Sequence, residues 1–390
     1  MQTYYKRKQI RYRTQPPIIV IFDIQHQEFL PMYYNTTTQL LSRKKLIHTT
    51  EIDCGEILPD HESKKKIFRE SSLTNFQKKM IETKKGFIPV MLTPFKDNGA
   101  VDYYGLADLI EFYLEAGATG LFANCLSSEM YELTEEERIK VTKFVVDYVK
   151  GTVPVVATGT FGGPVEEQAA FIKRIHDTGI QAAIIITSLL AEKDDSEEVF
   201  EENVYKLFQH TDNIPMGFYE CPDPYKRVLS PEQLGRIAAA SNRILYYKDT
   251  SLSIDSVKAK IEAAKGHEFK LYDAYMVHAV ESLKAGSAGL TCIQGNYFPE
   301  LIVWLCNNFN NSSRQIEVDK VQRFLEENME VMHHVYPTVS KYFLQKRGLS
   351  ISTVVRKNDG IFSKEAKNKV DKLFNDYQQL HKELGIKSAI

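Results

Sequence analysis

VPVVATGTFGGPVEEQAAFIKRIHDTGIQAAIIIT, residues 153–187, is one complete strand–helix–strand unit, and its reading decides the fold. VPVVAT (153–158) and QAAIIIT (181–187) are short and mostly apolar, as expected of parallel strands buried on both faces. Between them, PVEEQAAFIKRIHDTG has a helical pattern, and Gly179 follows its last periodic residue, where a left-handed C-terminal cap needs glycine. The same texture runs outward in both directions from Gly86. Further strands are expected at 87–92 (FIPVML), 119–125 (TGLFANC), 214–220 (IPMGFYE), 243–248 (RILYYK), 269–273 (FKLYD) and 288–293 (AGLTCI). Amphipathic stretches separate them. Thr134 with Glu137 forms a capping box, Ser230-Pro231 sets an N-cap before a first-turn proline, and Gly117, Gly266 and Gly286 close other helices.

About eight such units over roughly 225 residues is the size of a closed (β/α)8 TIM barrel. A doubly wound open sheet is disfavoured, because no Gly-x-Gly-x-x-Gly follows the first strand. After Phe298 the strand signal ends. Helical patterns at 299–309, 315–335, 337–347 and 363–384 imply an all-α C-terminal appendage. The expected organisation is therefore an N-terminal extension (1–85), the barrel (86–311) and a C-terminal helical region (312–390).

The extension differs in character from the rest. It holds 16 Lys and Arg against 9 Asp and Glu, whereas the remainder holds 33 against 42, so a net charge of −2 conceals a basic leader on an acidic body. It contains a basic cluster (Lys6, Arg7, Lys8, Arg11, Arg13), a strand-like IIVIF (18–22) and a short helical pattern near 71–85. The expected readings are a poorly ordered extension, a start site placed too far upstream, or a targeting segment; Tyr4, Tyr5 and Tyr12 do not fit the amphipathic helix of the last. No apolar run approaches the ~18 residues of a membrane span, and no charge excess calls for nucleic acid. Cys54, Cys125, Cys221, Cys292 and Cys306 are odd in number and dispersed, which fits a reducing, cytoplasmic compartment and small buried thiols rather than a disulfide framework or zinc site.

A barrel of this kind carries its chemistry at the C-terminal ends of the strands. Lys248 follows the apolar run Ile244-Leu245-Tyr246-Tyr247, so its amine should emerge partly desolvated at the barrel mouth. Desolvation lowers an amine's pKa, and a neutral lysine amine attacks carbonyl carbon to form an imine. Spacing alone leaves open a lysine that pairs with Asp249 or caps the next helix. Tyr219 ends the preceding strand, where a phenol could relay protons to such an imine or simply sit at the rim. Ser127 and Ser128, just past the second strand, offer hydroxyls and backbone N–H groups for a carboxylate; Glu129 and Glu132 read as solvated or structural. His210, His278, His333 and His334 fall on helical patterns without a convergent partner, so no metal is expected.

These residues carry a resemblance. The stretch from about 86 to 385 resembles the dihydrodipicolinate synthase/N-acetylneuraminate lyase family of class I aldolases, through PVMLTPF (89–95), CLSSEMYELTEEER (125–138), VVATGT (155–160), FYECP (218–222), YYKDTS (246–251), GSAGLTCIQGNYFPEL (286–301) and YPTVSKYFLQKRGL (336–349), all in the family's order. The resemblance implies a Schiff base between Lys248 and pyruvate or another 2-oxo acid, Tyr219 as the proton-shuttling phenol, and Ser127 and Ser128 in the carboxylate-binding loop. It further implies no cofactor and a homotetramer or homodimer. The lysine-pathway synthase has a Gly-Thr-Thr-Gly-Glu loop, a tyrosine pair after the fourth strand and an arginine beyond the catalytic tyrosine's proline. Here these positions read Cys125-Leu126-Ser127-Ser128-Glu129, Ser188-Leu189-Leu190 and Pro222-Asp223-Pro224-Tyr225-Lys226-Arg227. Leucine neither donates nor accepts a hydrogen bond, so that relay cannot be carried over. An aldolase or lyase making or breaking a C–C bond therefore fits best. The alternatives are a dehydratase of a sugar-derived 2-oxo acid, 4-hydroxy-tetrahydrodipicolinate synthase, or a non-catalytic ligand-binding barrel. The charged composition of loops 188–196 and 221–229 points to a polar second partner.

Overall fold

The computed structural model describes residues 84–357 and 360–387, together with the backbone of 19–23 and 28–32. The latter form an antiparallel pair, β1 (Ile19–Asp23) and β2 (Glu28–Met32), of which the sequence pattern had shown only the first strand. Otherwise the expected extension, its helix near 71–85 and Cys54 lie outside the described residues, apart from Lys84 and Lys85.

The rest is a TIM barrel. Its elements run β3 (Gly86–Phe87), α1 (Tyr103–Glu115), β4 (Leu121–Ala123), α2 (Glu135–Val149), β5 (Val155–Thr158), α3 (Val165–His176), β6 (Ala182–Ile186), α4 (Glu197–His210), β7 (Met216–Tyr219), α5 (Pro231–Ala240), β8 (Ile244–Asp249), α6 (Ile254–Ala263), β9 (Lys270–Asp273), α7 (Ala279–Ala285), β10 (Gly289–Leu290) and α8 (Pro299–Asn308). The eight barrel strands are parallel and ordered β3-β10-β9-β8-β7-β6-β5-β4. The ring closes between the first and second of them: Thr119 N–H donates to Phe87 O, Phe122 N–H to Pro89 O, and Met91 N–H to Phe122 O. Regular pairing along β3 stops early because Pro89 has no N–H to give the ladder. The caps read from sequence are formed, with Thr134 and Glu137 bonded reciprocally and Ser230 accepting from the Gln233 amide. After the barrel come α9 (Gln315–Glu327), α10 (Met329–His333), α11 (Thr338–Lys346) and α12 (Lys364–Leu384). The pattern expected as one helix over 315–335 is broken at Asn328, whose side chain donates back to Phe324 O. Among the described residues no helix is long and apolar enough to cross a membrane.

Two cores result. Residues facing outward from the strands pack with the helices, including those of the C-terminal region, into one large cluster. The barrel interior is a smaller one, in which Phe122 meets Tyr219 and Tyr246 edge-on and Tyr246 stacks on Tyr272. Strand alternation sorts β8 accordingly: Tyr246 joins the interior and Tyr247 the outer layer. Gly217 on β7 admits no side chain, because a Cβ there would lie 2.6 Å from Tyr246 O. The two strands therefore approach closely just before the residues that matter, and Tyr219 and Lys248 are register partners.

Candidate active site

Lys248 is the penultimate residue of β8, with its side chain in the barrel interior and only 4% exposed. Its amine lies 4.2 Å from the centroid of the Tyr219 ring and 5.7 Å from that of Phe122. Burial in this aromatic surround lowers its pKa, while the nearby thiols of Cys125, Cys221 and Cys292 act weakly the other way. These three cysteines each sit two residues beyond a strand end, at the barrel mouth. All three are buried and free, as expected for small apolar side chains. Burial raises Cys221 to about 11 and Cys292 to about 12, so they are neutral thiols at physiological pH. Tyr219 is equally buried, and desolvation pushes its phenol well above the ordinary value. Burial thus shifts the amine toward its neutral form and keeps the phenol protonated, the direction that imine formation favours.

Both side chains open into a cavity of about 480 Å³, also lined by Ser127, Leu126, Thr291 and Tyr336. Ser127 sits in a single turn (Leu126–Ser128) flanked by Asn124 and Glu129, both at positive φ. Its neighbour Ser128 does not line the cavity; its hydroxyl donates to Met91 O at 2.6 Å and accepts from the Cys125 amide at 3.0 Å. Of the two serines, the turn thus leaves Ser127 toward the amine and uses Ser128 to fix itself. Glu129 is structural. Its fully buried carboxylate meets Lys341 Nζ at 2.9 Å and accepts the Arg356 and Lys357 backbone N–H groups. Arg356 also grips Glu137 of the α2 capping box and holds that carboxyl down at about 2.

The sequence reading missed Tyr336. It lies between α10 and α11, with its hydroxyl hydrogen-bonded by Ser127 and by Asn296 Nδ2 at 2.8 Å. Asn296 in turn donates to Val90 O and accepts from Tyr113. The Ser127 and Tyr336 hydroxyls therefore meet at the cavity wall, in a network that Asn296 anchors to Val90 O. Nothing in the pattern around 336 marks this role; the residue enters by tertiary packing of the C-terminal region.

Behind the strand ends lies a second feature. Tyr219 is followed by Glu220 and Lys248 by Asp249, and strand alternation turns both carboxylates outward. Lys260 of α6, fully buried, bridges them at 2.5 and 2.7 Å. Glu220 also accepts from Tyr247 and from the Thr250 and Leu229 amides, yet burial and Asp249 together hold its pKa above the usual range. On the next strand Asp273 Oδ2 lies 2.9 Å from His278 Nε2, close enough for an ion pair when the imidazole is protonated but without hydrogen-bond geometry.

The loops expected to supply a polar subsite are arranged differently. Arg227 donates to the Glu192 and Asp195 carbonyls, and Tyr225 donates to Ala191 O, so the two loops tie to each other. Leu189, Leu190, Glu192, Asp195, Pro224 and Tyr225 line a second cavity, and of the two loops only Pro222 reaches the one holding Lys248. The polar composition was read correctly, but backbone carbonyls consume much of it.

The fold is a closed (β/α)8 barrel with a buried lysine beside a phenol at the C-terminal ends of its strands, where barrel enzymes place their chemistry. The chain belongs to the dihydrodipicolinate synthetase family, whose model matches residues 83–377. It is 25% identical over 264 residues to 4-hydroxy-tetrahydrodipicolinate synthase of Bacillus subtilis (strain 168), covering 68% of this chain and 89% of that one. Over 224 residues it is 29% identical to the Pseudomonas aeruginosa protein of the same name, covering 57% and 74%. A monomeric dihydrodipicolinate synthase variant has the same fold, with a TM-score of 0.69 at 20% identity, over 76% of this chain and 98% of that one. So does YagE from E. coli K12, solved with pyruvate, with a TM-score of 0.67 at 23% identity and the same coverage.

Proposed function

We infer that the protein is a class I aldolase or lyase in which Lys248 forms a Schiff base with pyruvate or another 2-oxo acid. The observation that carries this is the buried, deprotonation-prone amine of Lys248, 4.2 Å from the ring of Tyr219 in an open cavity. The neutral amine adds to the C2 carbonyl, and Tyr219 gives the departing oxygen its proton as water leaves. The resulting iminium nitrogen lies over the Tyr219 and Phe122 rings, where a cation is favoured. The Ser127 hydroxyl donates to the substrate carboxylate. The iminium withdraws electrons from C3, so a C3–C4 bond can form or break, and water then releases product and amine.

The family and the curated relatives named above favour a lyase, and pyruvate in YagE is consistent with the first substrate. The name those relatives bear, 4-hydroxy-tetrahydrodipicolinate synthase, remains a second reading. Against it stand Leu126, Leu189 and Leu190 at the relay positions and Pro224 near the arginine position. The test is reductive trapping: pyruvate and borohydride should leave a covalent adduct on the Lys248 peptide by mass spectrometry. Failure to trap any of a panel of 2-oxo acids, or trapping on another lysine, would refute the reading.

A further inference from the structure

We propose that the second substrate at this site is an aldehyde with an apolar, aromatic or branched body, and that the site discriminates against polyhydroxylated aldehydes. This rests on Lys248 forming the imine. A cavity of about 480 Å³ leaves room for much more than pyruvate. Beyond the amine its walls include the apolar side chains of Leu126, Pro222, Ala274, Ile293 and Met329, of which only the Met329 sulfur is an acceptor, weak and already taken by Gln294.

Of the polar groups between them, the two threonines are already committed, and Tyr275 presents an aromatic ring with a single hydroxyl. Thr291 donates to Ile88 O and accepts from Tyr246, and Thr250 donates to Glu220 O. Charged and ionisable groups, Glu330, His333 and Lys357, lie on the C-terminal segments, the first two exposed to solvent. Leu252 sharpens the picture. It lines the cavity at φ +63, a conformation costly for leucine, and keeps its side chain 55% exposed. A strained, exposed leucine beside a reactive amine is explained if it covers an apolar ligand. A sugar-like aldehyde would leave several hydroxyls desolvated and unpaired, which weighs more heavily than a missing methylene.

In the reaction, the Tyr219 phenolate left by the loss of water takes a proton from C3 of the iminium, and C3 of the resulting enamine attacks the aldehyde carbon and forms the C3–C4 bond. The aldehyde oxygen takes a proton from Tyr219, and water hydrolyses the iminium to a 4-hydroxy-2-oxo acid and free Lys248. No oxidant or reductant is needed.

The experiment compares the full-length protein's turnover of pyruvate with benzaldehyde and 3-methylbutanal against D-glyceraldehyde and D-erythrose, alongside borohydride trapping with pyruvate alone. The expected kcat/KM is at least about tenfold higher for the apolar pair. Leu252→Asn, a residue that tolerates the left-handed conformation, should reduce that preference several-fold. Equal or better use of the hydroxylated pair, or no turnover of either pair, with the Lys248 adduct present, overturns the proposal and leaves the Schiff-base reading standing. Absence of the adduct overturns both.

Discussion

Replacing Lys260 by methionine removes the only cation within bonding distance of the Glu220 and Asp249 carboxylates among the described residues. Removing one partner of a buried ion pair costs about 3–5 kcal/mol, since the remaining charge stays desolvated. Here the lower end is expected. Glu220 keeps donors from Tyr247, Thr250 and Leu229, and Asp249 keeps the amide and hydroxyl of Ser251. Against a total stability of about 5–15 kcal/mol, a loss of about 3 is large. It should also depend on pH. The folded-state pKa of Glu220 is raised above its unfolded value, chiefly by burial. Its contribution is therefore fully present below the unfolded value and is lost as pH rises through the folded one. Without Lys260 that pKa rises further, so Lys260→Met should be destabilised more at pH 8 than at pH 5.5, by about 1.4 kcal/mol for each pH unit in which Glu220 changes state. Urea unfolding of both proteins at the two pH values measures this. The double variant Glu220→Gln/Lys260→Met should recover part of the loss. A loss below about 1 kcal/mol, or one identical at both pH values, would show that the three side chains are not acting as a desolvated charge cluster.

Other predictions concern the cavity. Because burial depresses Lys248, pyruvate trapping should accelerate as pH rises through a midpoint below the ordinary 10.5, and a midpoint at 10.5 or above would contradict a buried amine. Tyr219→Phe should still form some adduct but lose about 10²–10⁴-fold in turnover, the range for a removed general acid–base group; unchanged rates would take the phenol out of the mechanism. Tyr336→Phe removes the hydroxyl that is hydrogen-bonded to Ser127 and holds it in place, so half-saturation by pyruvate in the trapping assay should rise several-fold while the maximal adduct level is kept. No shift would mean that Ser127 is oriented without it.

Much of this was legible in the sequence because it depends on local periodicity. Short apolar strands, capping boxes and glycine stops are fixed by neighbours within a few residues, and a barrel then places Lys248 and Tyr219 at its catalytic end. What escaped depended on distant contacts. Ser127 and Ser128 are adjacent and chemically identical, yet one lines the cavity and the other holds Met91 O, a distinction set by a turn with a left-handed residue on each side. The charged loops 188–196 and 221–229 suggested a polar subsite, but composition does not reveal that Arg227 is occupied by backbone carbonyls. Tyr336 falls between the helical patterns at 315–335 and 337–347, and neither of them announces it.

Strain locates the same boundary. Of six non-glycine residues at positive φ among those described, Asn124, Glu129, Leu252 and Val335 lie in or beside segments that line the cavity. Each costs of order 1 kcal/mol or more and persists only where surrounding contacts over-determine it. Glu129 is held by Lys341 and two backbone amides of the C-terminal region, and Val335, a β-branched residue for which the conformation is exceptional, immediately precedes Tyr336. Arg347 adds a further tie from that region, pairing with the buried Glu300 of α8 at 2.6 Å. The helices after the barrel therefore complete its mouth: they lock the turn that carries Ser127 and supply the hydroxyl that orients it. A barrel cut off after α8 would retain Lys248 and Tyr219 but lose both.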